Sequence, residues 1–175
     1  GYWRSMYQLR GKLSIVMPAY NEEALIYNSI MQTLSIVEQF APDLEIIAVN
    51  DGSKDKTKQE IERAIRDDAK QPHPVVPGMR VSGTRIKLVT SNKNRGKGNA
   101  IISGISQAEG DYIAFVDADL ELNPAQLEGY LKKMQESGSD VVIGCKFHKD
   151  SELHYPFVRK VISPVSYTHL TLPTT

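Results

Sequence analysis

Short runs of consecutive apolar residues alternate along this chain with longer stretches in which apolar residues recur every three or four positions. Leu13 to Met17 (LSIVM) reads as a buried strand ended by Pro18. Ala24 to Phe40 follows, with Leu25/Ile26, Ile30, Leu34, Val37 and Phe40 at helical spacing. Leu44 to Val49 predicts a second strand, and Ser53 or Asp55 is placed to cap a helix carrying Ile61, Ala64 and Ile65. Arg85 to Val89 predicts a third strand and Lys97 to Ala108 a third helix, with Ala100, Ile101 and Ile105 on one face. Tyr112 to Val116 predicts a fourth strand. Asn123-Pro124 then opens a helix that runs to about Gly138, and Val141 to Ile143 predicts a fifth strand. Between the second helix and third strand, Ala69 to Gly83 holds three prolines and two glycines, which predicts a long irregular loop.

Strands alternating with helices imply an α/β fold with a mostly parallel sheet covered by helices on both faces. Ligands of such sheets bind beyond the carboxyl ends of the strands. The polar clusters of this chain fall there. Pro18-Ala19-Tyr20-Asn21-Glu22 follows the first strand and Asn50-Asp51-Gly52-Ser53 the second. Asn94-Arg95-Gly96-Lys97-Gly98-Asn99 follows the third and Asp117-Ala118-Asp119 the fourth, so the four clusters are expected on one rim.

Composition narrows the picture. The 175 residues suit one domain, and 21 basic residues balance 21 acidic ones, which argues against nucleic acid as a partner. The single cysteine, Cys145, excludes an intrachain disulfide framework and fits a reducing compartment; it reads as a packed small residue. The four histidines show no metal-ligand spacing. No apolar run is long enough for a membrane span, and the start has no signal-peptide core. The first residue is not Met, which implies a cut end. Residues Val165 to Thr175 (VSYTHLTLPTT) match one reading frame of a transposon-based sequencing adapter. They are expected to be an artefact replacing a natural continuation, which leaves 1–164 as a C-terminally truncated domain.

Each cluster has a structural and a chemical reading. Asp117 and Asp119, two apart at a strand end, can cap a turn or can face one hard cation. Oxygen ligands with open positions suit Mg²⁺ or Mn²⁺, which would neutralise a diphosphate leaving group. Asp51 in Asn-Asp-Gly-Ser can shape a turn or accept a hydrogen bond from the imide N–H of a uracil or guanine. Tyr20 can line or stack on a base, and Glu22 can bind ribose hydroxyls. Lys97 and Gly98 at a helix N-terminus offer a cation and free N–H groups to phosphate, although no P-loop pattern is present.

In this order and spacing the segments PAYNE, NDGSKDKT, NRGKGNAI, GDYIAFVDADLELNP and DVVIGCKFHKDS…YPFVRKVIS resemble the family 2 glycosyltransferases of the GT-A fold. Within that family the chain is similar to the polyprenyl-phosphate sugar transferases, the dolichyl-phosphate mannose and glucose synthases and their bacterial relatives. The likeness spans Leu13 to about Ser163. It implies a Rossmann-like nucleotide-sugar-binding fold, with Pro18, Ala19, Tyr20, Glu22 and Asp51 at the nucleotide. It further implies Asp117 and Asp119 at the metal, with Glu121 beside them. Lys146 would meet phosphate, and Arg159 and Ser163, four apart on a helix after Pro156, the acceptor phosphate. Asn50 stands where the family more often has the first Asp of D-D-G-S, which is expected to weaken the base contact and spare Asp51.

The activity implied is inverting transfer of a hexose from UDP-glucose or GDP-mannose to dolichyl or undecaprenyl phosphate. Asp119, Lys146 and Arg159 would serve the reaction, at the cytosolic face of a membrane reached through a region downstream of Val165. A family 2 enzyme acting on a sugar hydroxyl in polysaccharide or cell-envelope glycan is the first rival. A nucleotidyltransferase is the second, disfavoured by the absence of a glycine-rich signature after the first strand. A non-catalytic nucleotide-binding fragment is the third.

Overall fold

The computed structural model describes residues 7–73, 83–120, 123–137 and the backbone of 157–160. In chain order the elements are β1 (Leu13–Ala19), α1 (Ile26–Val37), β2 (Leu44–Asp51), α2 (Thr57–Ala69) and β3 (Ile86–Ser91). Then come α3 (Lys97–Ser106), β4 (Tyr112–Phe115), a 3₁₀ turn (Pro124–Gln126), α4 (Leu127–Ser137) and β5 (Phe157–Lys160). The strand order is β3-β2-β1-β4-β5. The first four strands are mutually parallel, and β5 closes the β4 edge antiparallel, Tyr112 pairing with Lys160 and Phe115 with Phe157.

Strict alternation along each central strand divides the apolar side chains between two faces. Leu13, Ile15, Met17, Leu44, Ile46, Ala48, Tyr112 and Ala114 form the larger core with stripes from α1 (Ile26, Ile30, Leu34, Val37), α2 (Ile61, Ala64) and α4 (Leu127, Leu131, Met134). Val16, Ile47, Val49, Ile113 and Phe115 meet α3 through Ala100 and Ile105 on the other face. Helices therefore cover both faces, as the alternation of runs predicts. Asn123 caps the last helical segment through Ala125 N, with Pro124 in the first turn.

Boundaries shift where local bonding intervenes. The first helix begins at Ile26 rather than Ala24, because the Glu22 carbonyl accepts from both Leu25 N and Ile26 N and closes a turn first. The larger correction concerns Arg159, expected on a helix. Residues Phe157–Lys160 form a strand, with Arg159 in register with Ile113. Phe-Val-Arg-Lys favours extended backbone, and the exposed edge of β4 supplies the ladder partner that decides the outcome. The expected strand over Val141–Ile143 and the segment Val165–Thr175 lie outside the described residues.

Strand order reverses at β1: the chain steps outward to β2 and β3, then returns to lay β4 on the opposite side of β1. This switch point opens a crevice beyond the carboxyl ends of β1 and β4. One wall of it is α3, seated closely because residue 104 is glycine. A Cβ there would lie 2.3 Å from Val16 Cγ1 and 3.1 Å from Val49 Cγ2.

A buried ion cluster fixes the start of β3. Asp68, fully buried, accepts from Arg85 N and Nη2 at 2.7 Å each and from Thr84 Oγ1 at 3.1 Å, while Arg85 also meets Glu38 at 2.8 Å. Burial alone would raise the Asp68 carboxyl; the hydrogen bonds and charge of Arg85 outweigh it and hold the group below its ordinary range.

Two outcomes follow for stability. Gly104→Ala gains up to about 1 kcal/mol of helix propensity but overpacks Val16 by about 1–3 kcal/mol, so urea unfolding should show a net loss. A depressed aspartate contributes stability that is complete above its unfolded pKa of about 3.9 and is lost as pH falls through the lower folded value. Asp68→Asn should therefore lower stability near neutrality and flatten the acid limb of unfolding free energy below about pH 4, measured by urea melts across that window.

Candidate active site

The loops after β1 and β2 are stitched to each other by short polar side chains. Asn21, in the left-handed region at φ 51°, receives Lys54 N on Oδ1 at 2.9 Å and donates its own N–H to Ser53 Oγ at 3.0 Å. Asparagine tolerates this backbone conformation better than most residues. Glu22 N donates to Thr57 Oγ1 at 2.8 Å, Glu23 N to Asp55 Oδ2 at 3.2 Å, and Lys56 N to Glu23 Oε2 at 3.1 Å. Asp55 also accepts from Thr57 N at 2.9 Å, the capping contact expected of it, although the residue flanking α2 is Lys56.

The loops after β2 and β3 are joined by Asp51. Its Oδ1 accepts from Arg95 N at 3.0 Å and its Oδ2 from Gly96 N at 3.1 Å. Gly52, at φ 69°, lets the two loops touch: a Cβ there would lie 2.3 Å from Asn94 N and from the Lys93 carbonyl carbon. Asp51 is thus nearly buried and lines the crevice while bracing the loop that carries Gly96 and Lys97. Asn50 lies behind it, donating from Nδ2 to its cross-strand neighbour Thr90 at 2.9 Å and accepting from Ser53 N at 3.2 Å.

Beyond β4 the chain turns sharply, with Leu120 at φ 50° and its N–H on the Asp117 carbonyl at 3.1 Å. Ser29, buried on α1, donates its hydroxyl to the Ala118 carbonyl and so pins the turn to that helix. The Lys97 ammonium forms an ion pair with Asp117 Oδ1. The four loops are in this way tied into one rim.

The rim encloses a cleft of roughly 320 Å³. Pro18, Ala19, Tyr20 and Glu22 line it from β1, Asp51 from β2, Asn94, Gly96, Lys97 and Ala100 from the β3–α3 side, and Asp117, Ala118 and Asp119 from β4. Tyr20 remains 41% exposed, with a ring face available to a planar ligand. Four carboxylates confront one ammonium among these residues. Glu22 registers the surplus: burial, then Asp119, Asp55 and Asp117, raise its carboxyl above the ordinary range.

Such a cleft repels a diphosphate unless a cation accompanies it, and it suits a hard divalent ion. Among the described residues no group of three or more carboxylate, imidazole or thiolate side chains surrounds a metal position. Asp117 and Asp119 offer two carboxylates, the donor set of an ion that keeps water and takes phosphate oxygens.

Of the residues singled out from sequence, Pro18, Ala19, Tyr20, Glu22, Asp51, Lys97, Asp117 and Asp119 converge on this cleft. Gly98 does not line it; it sits exposed in the first turn of α3 with open space where a Cβ would be. Glu121, Lys146 and Ser163 lie outside the described residues, and Arg159 is placed by its backbone alone, on β5. Asn94, Gly96 and Ala118 line the cleft as members of the clusters expected on the rim, whereas nothing in the sequence marks the part played by Ser29 or that of Ala100, a helix-face position that also reaches the cleft. Ser29 lies in the middle of an amphipathic helix, where a serine signals nothing about its partner until the helix is docked.

Comparison with known proteins agrees with this fold. Undecaprenyl-phosphate 4-deoxy-4-formamido-L-arabinose transferase of Enterobacter sp. (strain 638) is 35% identical over 131 residues, covering 75% of this chain and 36% of that protein. The enzyme of the same name from Photorhabdus laumondii is 33% identical over 152 residues, 87% of this chain and 42% of its own length. The chain thus spans well under half of the relatives it matches. Among solved structures, the mannosyltransferase PcManGT of Pyrobaculum calidifontis, in complex with GDP-Man and Mn²⁺, superposes with a TM-score of 0.62 at 19% identity, over 91% of this chain and 48% of that one. S. aureus TarS 1–349 in complex with UDP-GlcNAc gives a TM-score of 0.53 at 26% identity, over 74% and 32%. These neighbours identify the architecture as the GT-A fold. Residues 14–169 match the family described as Glycosyl transferase family 2, and to that family the chain belongs.

Proposed function

We propose that this chain is the donor-binding part of an inverting, divalent-metal-dependent glycosyltransferase that moves a hexose from a UDP- or GDP-sugar to a polyprenyl phosphate. The observation that carries the reading is the meeting of Asp117 and Asp119, at the end of β4, with Tyr20, Glu22 and Asp51 across one switch-point cleft. In this reading the base packs against Pro18, Ala19 and Tyr20, and its imide N–H approaches Asp51, whose lone pairs are not exhausted by Arg95 N and Gly96 N. Asp117 and Asp119 would hold Mg²⁺ or Mn²⁺, which when bound neutralises charge developing on the diphosphate. Glu121 is proposed beside them.

The support for the acceptor is the resemblance, together with the undecaprenyl-phosphate transferases among the relatives. Those relatives are named for a formamido-arabinose rather than a hexose, so the donor sugar calls for a direct test. A phosphate monoester has a second pKa of about 6 and is largely dianionic at neutral pH, so it needs little help from a general base. The protein's task is then positioning and charge neutralisation, for which Lys146, Arg159 and Ser163 are the candidates. No helix among the described residues is long and apolar enough to cross a membrane. Approach to the lipid acceptor at the cytosolic face would then rest on chain outside the described part.

Isothermal titration of UDP, GDP, UDP-glucose and GDP-mannose, with and without Mn²⁺, tests the donor site. One nucleotide series should bind with an affinity that rises with Mn²⁺, and Asp119→Ala should weaken that binding at least tenfold, about 1.4 kcal/mol. Unchanged affinity and metal dependence in Asp119→Ala would overturn the assignment.

A further inference from the structure

Lys97 begins α3 at the lip of the cleft, and the carboxylate oxygen it covers belongs to Asp117. Its backbone is not adrift: Gly96 N, one residue earlier, is held by Asp51 Oδ2 at 3.1 Å. The ammonium is the one cationic group among the described residues lining a cleft that also holds Glu22, Asp51, Asp117 and Asp119. It is also 38% exposed on a flexible stem, whereas the Asp117 side chain is 20% exposed. The lysine can therefore swing away at small cost while the carboxylate stays in place.

We propose that Lys97 is an exchangeable counter-ion for Asp117. It neutralises this carboxylate while the cleft holds no metal, yields the oxygen to an entering divalent cation, and is then released toward the diphosphate. The inference rests on the reading of Asp117 as a metal ligand. The ammonium lies on Asp117 Oδ1, and a divalent ion on either oxygen of that carboxylate would sit close enough to repel it, so metal entry drives lysine departure. Because a diphosphate gives the displaced ammonium a new partner, metal and nucleotide binding become positively coupled, each raising affinity for the other by the same factor.

The test is Mn²⁺ binding by the whole chain, followed through the electron paramagnetic resonance signal of free Mn²⁺, first without nucleotide. Lys97→Gln should bind Mn²⁺ roughly fivefold more tightly than the unaltered protein, since no ammonium has to leave. Arg95→Gln removes a charge from the same loop, and the Arg95 side chain makes no ion pair among the described residues; it should change affinity less than twofold. Added UDP or GDP should raise Mn²⁺ affinity by a larger factor in the unaltered protein than in Lys97→Gln. Lys97→Met repeats the measurement if the glutamine variant melts early by circular dichroism. No tightening in either Lys97 variant, or an equal gain in Arg95→Gln, overturns the exchange while leaving the metal site standing. Absence of Mn²⁺ binding by the unaltered protein, or binding undiminished in Asp117→Asn, removes the metal reading and the exchange with it.

Discussion

Peptide groups that leave a parallel sheet lose their ladder partners, and at the carboxyl ends of these strands side chains replace them. The part-buried donors among them, Glu22 N, Thr57 N, Arg95 N and Gly96 N, are those that water reaches least, and leaving one of them unpaired costs up to about 1–3 kcal/mol. Asn21, Ser53, Asp55, Thr57 and Asp51 each accept a backbone N–H from a loop other than their own or from the adjoining turn. The same bonds that satisfy the backbone set the distances between loops. The cleft is therefore a consequence of how the strand ends are terminated. Removing one stitch would move cleft-lining residues as well as expose a donor.

This arrangement gives Asp51 and Asp117 two duties each. Asp51 braces the loop before α3 and faces the cleft; Asp117, two residues beyond β4, accepts Leu120 N on its carbonyl and presents its carboxylate to Lys97. A substitution at either residue mixes loss of ligand contact with loss of loop geometry. Ser29 offers a cleaner handle on geometry alone, because its hydroxyl acts on the Ala118 carbonyl and does not line the cleft. Carboxylate crowding then supplies the chemistry. Burial first, and then the charges of Asp119, Asp55 and Asp117, raise the Glu22 carboxyl above its ordinary range, and the same crowding of carboxylates favours an entering cation.

The frame was legible because it depends on periodicity. Runs such as LSIVM and LEIIAV are buried on both faces, and their alternation with helical stretches points to a covered parallel sheet, on which the order of polar clusters locates the rim. What could not be read are pairings between segments far apart in sequence. Ser29 and Ala118 are 89 residues apart and Asp51 and Gly96 are 45 apart, and nothing in either local pattern names the other. The Arg159 segment failed for a related reason. Its spacing fits a helix, but a ladder partner on β4 decides in favour of a strand, and a single segment carries no record of its neighbour.

Asn50 shows how the cleft and its support divide between adjacent residues of one strand. Alternation turns Asp51 toward the cleft, while Asn50 is 4% exposed and spends its amide on Thr90 and Ser53. An amide there donates to one neighbour and accepts from the other; a carboxylate can only accept, and would leave Thr90 to rotate its hydroxyl inward as donor. The departure from D-D-G-S thus falls on the rim's support and leaves the cleft-lining carboxylates unchanged. It also keeps a further negative charge away from a region where burial and neighbouring carboxylates already raise the Glu22 carboxyl. Asn50 is also bonded to Ser53, and Ser53 to Asn21 on the opposite loop, so a substitution at Asn50 reaches both loops of the rim.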